Sequence, residues 1–291
     1  MKTYFLYGII ISLIIIIIVT ITCIEKFKNT KSDNKLIWFH HVHKAGGTSF
    51  IKLAELNNEK LYYKDSRNGL PTNRYGYFIP FGSMDINEQE QFIKDAKNNG
   101  TTFIATEFNY PMPKNKYDDD SIINIIMIRN PINKLISHLA HLLREPEEYR
   151  YDYNDKNPES IIKKNTKHFG NVMTKVLAGY DFNEKINITH NDYNTALTNL
   201  KNFDIILVLE DSQSLLKMQS LGWKNFNLPR DNISSTRDFQ TNVGYNTVDK
   251  VREILKEWLG DDYENILKKE YVNFDQKLYD YCNYINNKNY M

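Results

Sequence analysis

Cysteine is almost absent from this chain, which has two cysteines in 291 residues. Cys23 lies inside an apolar N-terminal run and Cys282 lies near the C-terminus, so we expect no disulfide within the folded domain. The chain also has no excess of charge of one sign, because 37 Lys and Arg residues offset 36 Asp and Glu residues to a net charge of +1. Such a balance creates no global field that would attract nucleic acid, and we expect no nucleic-acid partner.

Residue groups with the spacing of a metal site are also missing. His, Cys, Asp and Glu residues nowhere recur as zinc ligands do, and we therefore predict that no metal is bound. His40 and His43, separated by two residues at the end of an apolar run, are more simply explained as packing and capping side chains. The sequence contains no internal repeat.

A long apolar segment opens the chain. Residues 4–24 form a run of 21 residues without a charge, dominated by Ile; as a helix they span about 31 Å, which matches the hydrocarbon core of a bilayer. The run is too long for a secretory signal peptide and ends without a clear cleavage site. We therefore predict a short flank at 1–3, a transmembrane anchor at 4–24, a stem at 25–35 and a globular domain at 36–291.

The other apolar runs predict the fold. The run that ends at residue 42 and three later ones, at 102–108, 122–128 and 204–209, are typical of buried parallel strands. Helical patterns lie between and after them, at about 131–144, 159–178, 189–202, 211–221, 247–258 and 261–285. Strands that alternate with helices predict a P-loop-like α/β domain of three layers with a central parallel sheet. Ligands of such domains bind beyond the carboxyl ends of the strands.

The loop after the first strand has the features of a phosphate site. Gly46 and Gly47 let the backbone curl so that several N–H groups point at one anion. A helix that begins near Thr48 adds its positive dipole end, and Lys44 adds a full charge. In a Walker A loop the Lys directly follows the last Gly, whereas Lys44 precedes both glycines. The loop therefore predicts phosphate binding of a kind that differs from that of ordinary ATPases.

A second candidate phosphate site follows the most apolar strand of the domain. Arg129 stands at the tip of that strand, and Pro131 then starts a helix, where its missing N–H costs nothing. Ser137 lies about two turns into the helix, so that Arg129 and Ser137 can grip a phosphate together, the Arg bidentately. If this motif is considered alone, a simpler alternative is favoured, in which Arg129 caps a neighbouring carbonyl and Ser137 faces solvent.

The two motifs together, His-x-x-Lys-x-Gly-Gly-Thr-Ser-Phe and Arg-x-Pro-x5-Ser, resemble the loops with which sulfotransferases bind 3′-phosphoadenosine 5′-phosphosulfate (PAPS). The membrane-anchored carbohydrate group, which includes the heparan sulfate 2-O- and 6-O-sulfotransferases, fits best. Weaker similarity to this family lies at 171–179, 207–223 and 273–279. The resemblance thus runs patchily from about residue 36 to residue 285.

The resemblance implies a role for each matching residue. The 5′-phosphosulfate would be bound by the first loop, through Lys44, Ala45, Gly46, Gly47, Thr48 and Ser49. The 3′-phosphate would be bound by Arg129 and Ser137. Ala45 departs from the Thr that is usual in the family, which removes one hydroxyl contact. Thr236 and Arg237 fall where relatives place another loop that contacts PAPS.

The implied reaction moves a sulfuryl group from PAPS to an acceptor hydroxyl, with Lys44 beside the leaving phosphate. Many relatives place a catalytic His at the tip of the strand before the Arg loop, where this chain has Glu107. Glu107 is therefore the candidate general base, although a salt-bridged Glu is a close alternative. His43 is the second candidate base, because it precedes Lys44 and has a suitable unperturbed pKa.

The acceptor that the resemblance implies is a glycan hydroxyl. His138 and His141 share a face of the helix after Arg129, and together with Arg144 and Lys175 they are candidates to contact the acceptor. The resemblance also implies a single-pass type II membrane protein with a lumenal, Golgi-like catalytic domain. The positive-inside rule gives the opposite orientation, because lysines are more numerous in the stem than before the anchor.

Two other functional classes remain open on the sequence alone. One is a P-loop kinase or NTPase, against which the missing Gly-Lys-[Ser/Thr] counts. The other is a non-catalytic descendant of the fold that binds a glycan or a protein. The absent family His favours this second alternative slightly, whereas the presence of Lys44 and Arg129 opposes it.

Overall fold

The structure is a computed structural model that describes residues 35–62, 84–107, 121–144, 157–229 and 247–288. The predicted anchor at 4–24 lies outside the described residues, as do Thr236 and Arg237 and the stem up to residue 34. Among the residues that are described, no helix has both the length and the apolar character needed to cross a membrane.

Four strands form the sheet in the described part of the chain, and all of their pairings are parallel. They are β1 (Leu36–His41), β2 (Phe103–Glu107), β3 (Ile122–Ile128) and β4 (Ile205–Val208). Their spatial order is β2-β1-β3-β4, so that β1 and β3 lie in the interior of the sheet. Both interior strands are apolar and buried almost throughout, as strands with helices on both faces are. The predicted α/β fold with a parallel sheet is confirmed.

The helices of the described segments follow the predicted alternation with the strands. They are α1 (Gly47–Leu56), α2 (Ile86–Asn98), α3 (Pro131–Arg144), α4 (Pro158–Phe169), α5 (Val172–Leu177), α6 (His190–Leu200), a 3₁₀ helix (Ser212–Leu221), α7 (Thr247–Leu259), α8 (Tyr263–Ile266), a π-helical turn (Leu267–Tyr271) and α9 (Asn273–Lys288). The bounds of α3 are those expected from the sequence. Helix α2 was not predicted, because its buried apolar residues are few.

The helix predicted at 159–178 is in fact two helices, α4 and α5, which are separated at Gly170. A Cβ atom at Gly170 would lie 2.0 Å from the carbonyl oxygen of Tyr271. The chain therefore needs glycine where it turns past the π-helical segment. The predicted helix at 261–285 is likewise interrupted, since α8, the π-helical turn and α9 divide it.

Helices cover both faces of the sheet. On one face, Phe39 of β1 packs in a cluster with Phe50 of α1 and Met218 of the 3₁₀ helix. On the other face, Ile126 of β3 packs in a cluster with residues of α5, α6 and α9, among them Leu278. Alternate residues of a strand point to opposite faces, which produces these two layers of helices. The loops that follow the four strands all leave from the same edge of the sheet.

Candidate active site

The loop between β1 and α1 turns sharply and ends at an uncapped helix terminus. Lys44 and Gly46 both adopt left-handed backbone conformations, with φ of 62° and 82°. Gly46 is the N-cap of α1, which therefore begins at Gly47, one residue earlier than expected. Among the described residues, no side chain caps the first turn of α1, and that turn contains no acidic residue. Such a terminus presents N–H groups and a positive dipole end to an anion.

The two glycines of the loop are each required by a different contact. A Cβ atom at Gly46 would lie 2.7 Å from Cδ1 of Leu209, and the positive φ of Gly46 already disfavours any side chain. A Cβ atom at Gly47 would lie 2.0 Å from Nε2 of His41. The imidazole of His41 thus packs directly against the backbone at the start of α1. Thr48 and Ser49 follow, both half-buried, in the first turn of the helix.

Arg129 joins the two predicted phosphate sites. Its Nη1 donates a hydrogen bond of 2.8 Å to the backbone carbonyl of Lys44, and its Nε lies 3.9 Å from Oε1 of Glu210. The capping alternative considered above is therefore correct in part, because Arg129 does cap a carbonyl. That carbonyl belongs to the glycine-rich loop, however, so the bond also brings the two loops together.

The helix that follows Arg129 is fixed at its start. Oδ1 of Asn130 accepts a hydrogen bond from the N–H of Asn133, and the N–H of Asn130 donates to both carboxylate oxygens of Glu210. Ser137 lies half-buried in the second turn of α3. Glu210 was not predicted as part of this site. It comes two residues after the end of β4, so the strand-end rule that indicated Arg129 also applied to it.

Glu107 lies at the carboxyl end of β2, where it contacts two histidines. Its Oε1 is 2.7 Å from Nδ1 of His43 and 3.5 Å from Nδ1 of His41. His41 and Glu107 are register partners on β1 and β2, so that their side chains point to the same face of the sheet. Burial alone would raise the pKa of Glu107, but His41, His43 and Lys44 lower it to about 2. Glu107 is therefore ionised at neutral pH.

Two other predicted histidines, His138 and His141, lie beside His43. The ring centroid of His43 lies 5.1 Å from that of His138 and 5.6 Å from that of His141. His138 is only 4% exposed, and its ring centroid lies 4.0 Å from that of Phe169. Its buried Nε2 has no hydrogen-bond partner in the described part of the chain. Burial is the first cause that holds the pKa of His138 well below its usual value. His138 is thus a packing residue behind His43, and the half-buried His141 lies nearer the surface.

Lys175 is buried and its ammonium group is bonded inside the protein, which disfavours the predicted contact with an acceptor. Its side chain is 2% exposed, and its Nζ donates to the carbonyl oxygens of His168, Phe182 and Glu184. These bonds satisfy the ammonium group inside the protein, so that Lys175 holds the chain after α5 in place. Arg144 is the last residue of α3.

This edge of the sheet combines groups that can bind an anion with groups that can transfer a proton. An uncapped helix terminus and Lys44 lie next to Arg129, and a carboxylate–histidine pair lies against the same loop. Among the described residues, no group of three or more His, Cys, Asp or Glu side chains is arranged to hold a metal ion.

Comparison with known proteins identifies the family. The model of the sulfotransferase family matches residues 29–282, which is well over half of the chain and includes both loops, Glu107 and the last helix as far as Cys282. No curated protein was found to match the chain. The family match implies a transferase of sulfuryl groups. The chain therefore belongs to the sulfotransferase family.

Proposed function

We propose that this protein transfers a sulfuryl group from PAPS to a hydroxyl of a glycan. Family membership supports sulfuryl transfer. The choice of PAPS as the sulfuryl donor rests on the hydrogen bond from the Arg129 side chain to the carbonyl of Lys44. It brings a cation of the second loop against the backbone of the first, which supports a single nucleotide that contacts both loops.

The residues at this edge of the sheet fit such a nucleotide. In the described part of the chain, no side chain caps the N-terminus of α1, so its N–H groups can bind an anion. A side chain at Gly47 would collide with His41, so this backbone arrangement requires glycine. Lys44, Thr48 and Ser49 would hold the 5′ end. Arg129 would hold the 3′-phosphate with Ser137, because guanidinium groups bind phosphate oxygens bidentately.

Each part of the site has a distinct task in the transfer. Bound PAPS supplies the sulfuryl group, which passes in line to the acceptor oxygen. The ammonium of Lys44 and the positive end of α1 stabilise the negative charge that develops on the leaving phosphate. Arg129 fixes the loop of Lys44 through its carbonyl, and this pre-organises the cation before the acceptor arrives.

The acceptor and the membrane location rest on the resemblance to membrane-anchored carbohydrate sulfotransferases of the heparan sulfate 2-O- and 6-O- type. A glycan acceptor is consistent with the net charge of +1, which is too small to attract nucleic acid. We propose a single-pass anchor at 4–24 with a lumenal catalytic domain. Protease protection of a C-terminal tag in sealed microsomes tests this orientation, and digestion of the tag without detergent would establish the cytosolic one.

Binding and transfer assays test the proposed function with the full chain in detergent. We expect 3′-phosphoadenosine 5′-phosphate (PAP) to bind at least tenfold more tightly than ADP, and Lys44→Ala to abolish transfer of labelled sulfate from PAPS to a glycan panel. Equal affinity for ADP and PAP would instead favour a P-loop NTPase. Tight PAP binding without transfer to any glycan, protein or small-molecule acceptor would favour the non-catalytic alternative.

A further inference from the structure

We propose that His43 is the general base of this enzyme and that Glu107 is the positioning residue that orients it. The inference rests on the proposed function, since it names the group that takes the proton of the acceptor hydroxyl. It reverses the roles expected from the sequence, in which Glu107 was the first candidate base and His43 the second.

The contact between the two side chains is short and has a rigid origin. Nδ1 of His43 lies 2.7 Å from Oε1 of Glu107, and both side chains are largely buried, at 11% and 9% exposure. Glu107 is anchored at the end of β2 by its register with His41. A loop residue is thus held by a residue of the sheet, which is how a reacting group is kept in a fixed geometry.

The charge of Glu107 determines which nitrogen of His43 can accept a proton. Because Glu107 is ionised and can only accept hydrogen bonds, Nδ1 of His43 carries a hydrogen and donates it to Oε1. In a neutral imidazole the lone pair then lies on Nε2. Burial is the first cause that lowers the pKa of His43 to about 4, against the opposing effect of Glu107. His43 is therefore neutral at pH 7, which is the state in which a histidine can take up a proton.

Neighbouring rings restrict how the imidazole can turn. The ring of His43 has edge contacts with His138 and Phe182, both with centroids 5.1 Å away, and a tilted contact with His141 at 5.6 Å. Among the described residues, Lys44 and His41 are further charged or titratable groups near His43, and both lower its pKa and so disfavour a second proton. Packing and charge therefore favour one orientation and one tautomer.

Glu107 itself is a poor base in this environment. Burial opposes its charge, but His41, His43 and Lys44 hold the pKa of Glu107 below its usual value, which makes it a weak proton acceptor, and its Oε1 is already engaged by the imidazole. Glu107 is more useful after the proton has moved, because its carboxylate stabilises the imidazolium that forms. A carboxylate that orients and stabilises a histidine base is a known arrangement in hydrolases.

The proton balance of the step is simple. The acceptor oxygen forms a bond to sulfur while the bond between sulfur and the bridging phosphate oxygen breaks. The electron pair of the broken bond stays on the leaving phosphate beside Lys44. The proton of the acceptor hydroxyl passes to Nε2 of His43. Since His43 directly precedes Lys44 in the loop, the base and the leaving-group cation come from one short segment.

A spectroscopic measurement tests the tautomer without any acceptor or donor. We expect multiple-bond ¹H–¹⁵N spectra of the full chain in micelles, labelled at histidine, to show His43 with its hydrogen on Nδ1. The His43→Asn variant assigns the signal. In Glu107→Gln the fixed Nδ1–H tautomer should be lost. A hydrogen on Nε2 in the wild type, or an unchanged spectrum in Glu107→Gln, would overturn the proposal even if PAP binds normally.

Kinetics test the role of the base. We expect His43→Ala to lower kcat about 10²–10⁴-fold, the usual contribution of a general base, while the Kd for PAP changes less than threefold. Added imidazole should restore part of the activity. Glu107→Gln should lower kcat less, and the double variant should be no worse than His43→Ala. His190→Asn, at an exposed histidine of α6, is the matched control and should keep the wild-type kcat.

Retention of PAP binding shows that each variant is folded and that the nucleotide site is intact. Full activity of His43→Ala together with an inactive Glu107→Gln would make Glu107 the base. If the wild type does not bind PAP, the proposed function is contradicted. The tautomer measurement would still show whether Glu107 orients His43.

Discussion

Asn171 and Asp275 each cap the helix that begins beside the other. Oδ1 of Asn171 accepts hydrogen bonds from the N–H groups of Phe274 and Asp275 at the start of α9. The carboxylate of Asp275 accepts from the N–H groups of Met173 and Thr174 at the start of α5. The exchange joins two helices whose capping residues are 104 positions apart in the chain. It also gives a physical reason for two of the three weaker motifs, those at 171–179 and 273–279, which contain these residues.

Asp275 is fully buried, and its loss should destabilise the protein strongly. Its carboxylate satisfies two N–H groups and the hydroxyl of Thr174, and its charge offsets that of the buried Lys134 on α3. We expect Asp275→Asn to lower the free energy of unfolding in urea by about 3 kcal/mol or more, because a buried cation and a donor lose their partner.

The matched control for this change is Asp280→Asn, which alters an exposed carboxylate on the same helix. This substitution should change the free energy of unfolding by no more than about 0.5 kcal/mol, as is usual for exposed positions. Equal unfolding midpoints for the two variants would show that the reciprocal caps contribute little to stability.

The buried histidine His40 should make the fold sensitive to acid. Burial is the main cause that lowers its pKa from 6.5 to about 4, and its Nε2 lies 3.0 Å from Oδ1 of Asn124. The unfolded chain therefore binds a proton between pH 6.5 and 4 that the folded chain does not. The contribution of neutral His40 to the free energy of unfolding is then fully present above pH 6.5, and it is lost as the pH falls toward 4.

Urea unfolding at pH 7, 6, 5 and 4 measures this loss. We expect the wild type to lose stability over the range and His40→Gln to lose about 1–3 kcal/mol less, after correction for its lower stability at pH 7. His190→Gln should retain the wild-type slope because this side chain is exposed. A slope in His40→Gln equal to that of the wild type would assign the acid sensitivity to other groups.

The strands and α3 could be predicted from the sequence because long apolar runs end at clear signals. Ile122–Ile128 is followed by Arg129 and by Pro131, which begins α3. Helix α2 lacked such a signal, since the buried apolar residues among its described side chains are Phe92, Ile93 and Ala96. Its start depends on a capping box at Asp85, a local pattern that is easily missed when the apolar stripe is short.

Which residues form the site could be predicted in part, whereas the contacts between their side chains could not. Strand ends indicated Lys44, Glu107 and Arg129, because parallel strands deliver their loops to one edge. That His41 faces Glu107 depends on the register of β1 with β2, which no pattern in either strand specifies. The ammonium of Lys175 is bonded to carbonyl groups of a turn seven to nine residues further along the chain. These contacts depend on how that turn folds back, so sequence alone could not separate Lys175 from an exposed cation.

Gly47 and His41 should behave as one unit in mutagenesis. A Cβ atom at Gly47 would meet the imidazole of His41 at 2.0 Å, and Gly47→Ala must therefore displace either the ring or the start of α1. We expect Gly47→Ala to weaken PAP binding at least tenfold. His41→Ala makes room, so adding Gly47→Ala in that background should cost less than threefold. Equal losses in both backgrounds would show that the glycine is needed for another reason, since independent changes add.

Arg129 should not be replaceable by lysine. The guanidinium donates to the carbonyl of Lys44 through Nη1 while its Nε lies toward Glu210, and a lysine ammonium is a point charge without this planar fork. We expect Arg129→Lys to weaken PAP binding about tenfold to a hundredfold, which corresponds to losing one hydrogen bond to a charged group. Calorimetry with PAP and with adenosine 5′-phosphosulfate, which lacks the 3′-phosphate, separates the two functions of the side chain. If Arg129 binds the 3′-phosphate, the variant should lose affinity for PAP but not for adenosine 5′-phosphosulfate; equal losses for both would mean that Arg129 acts only by holding the loop of Lys44.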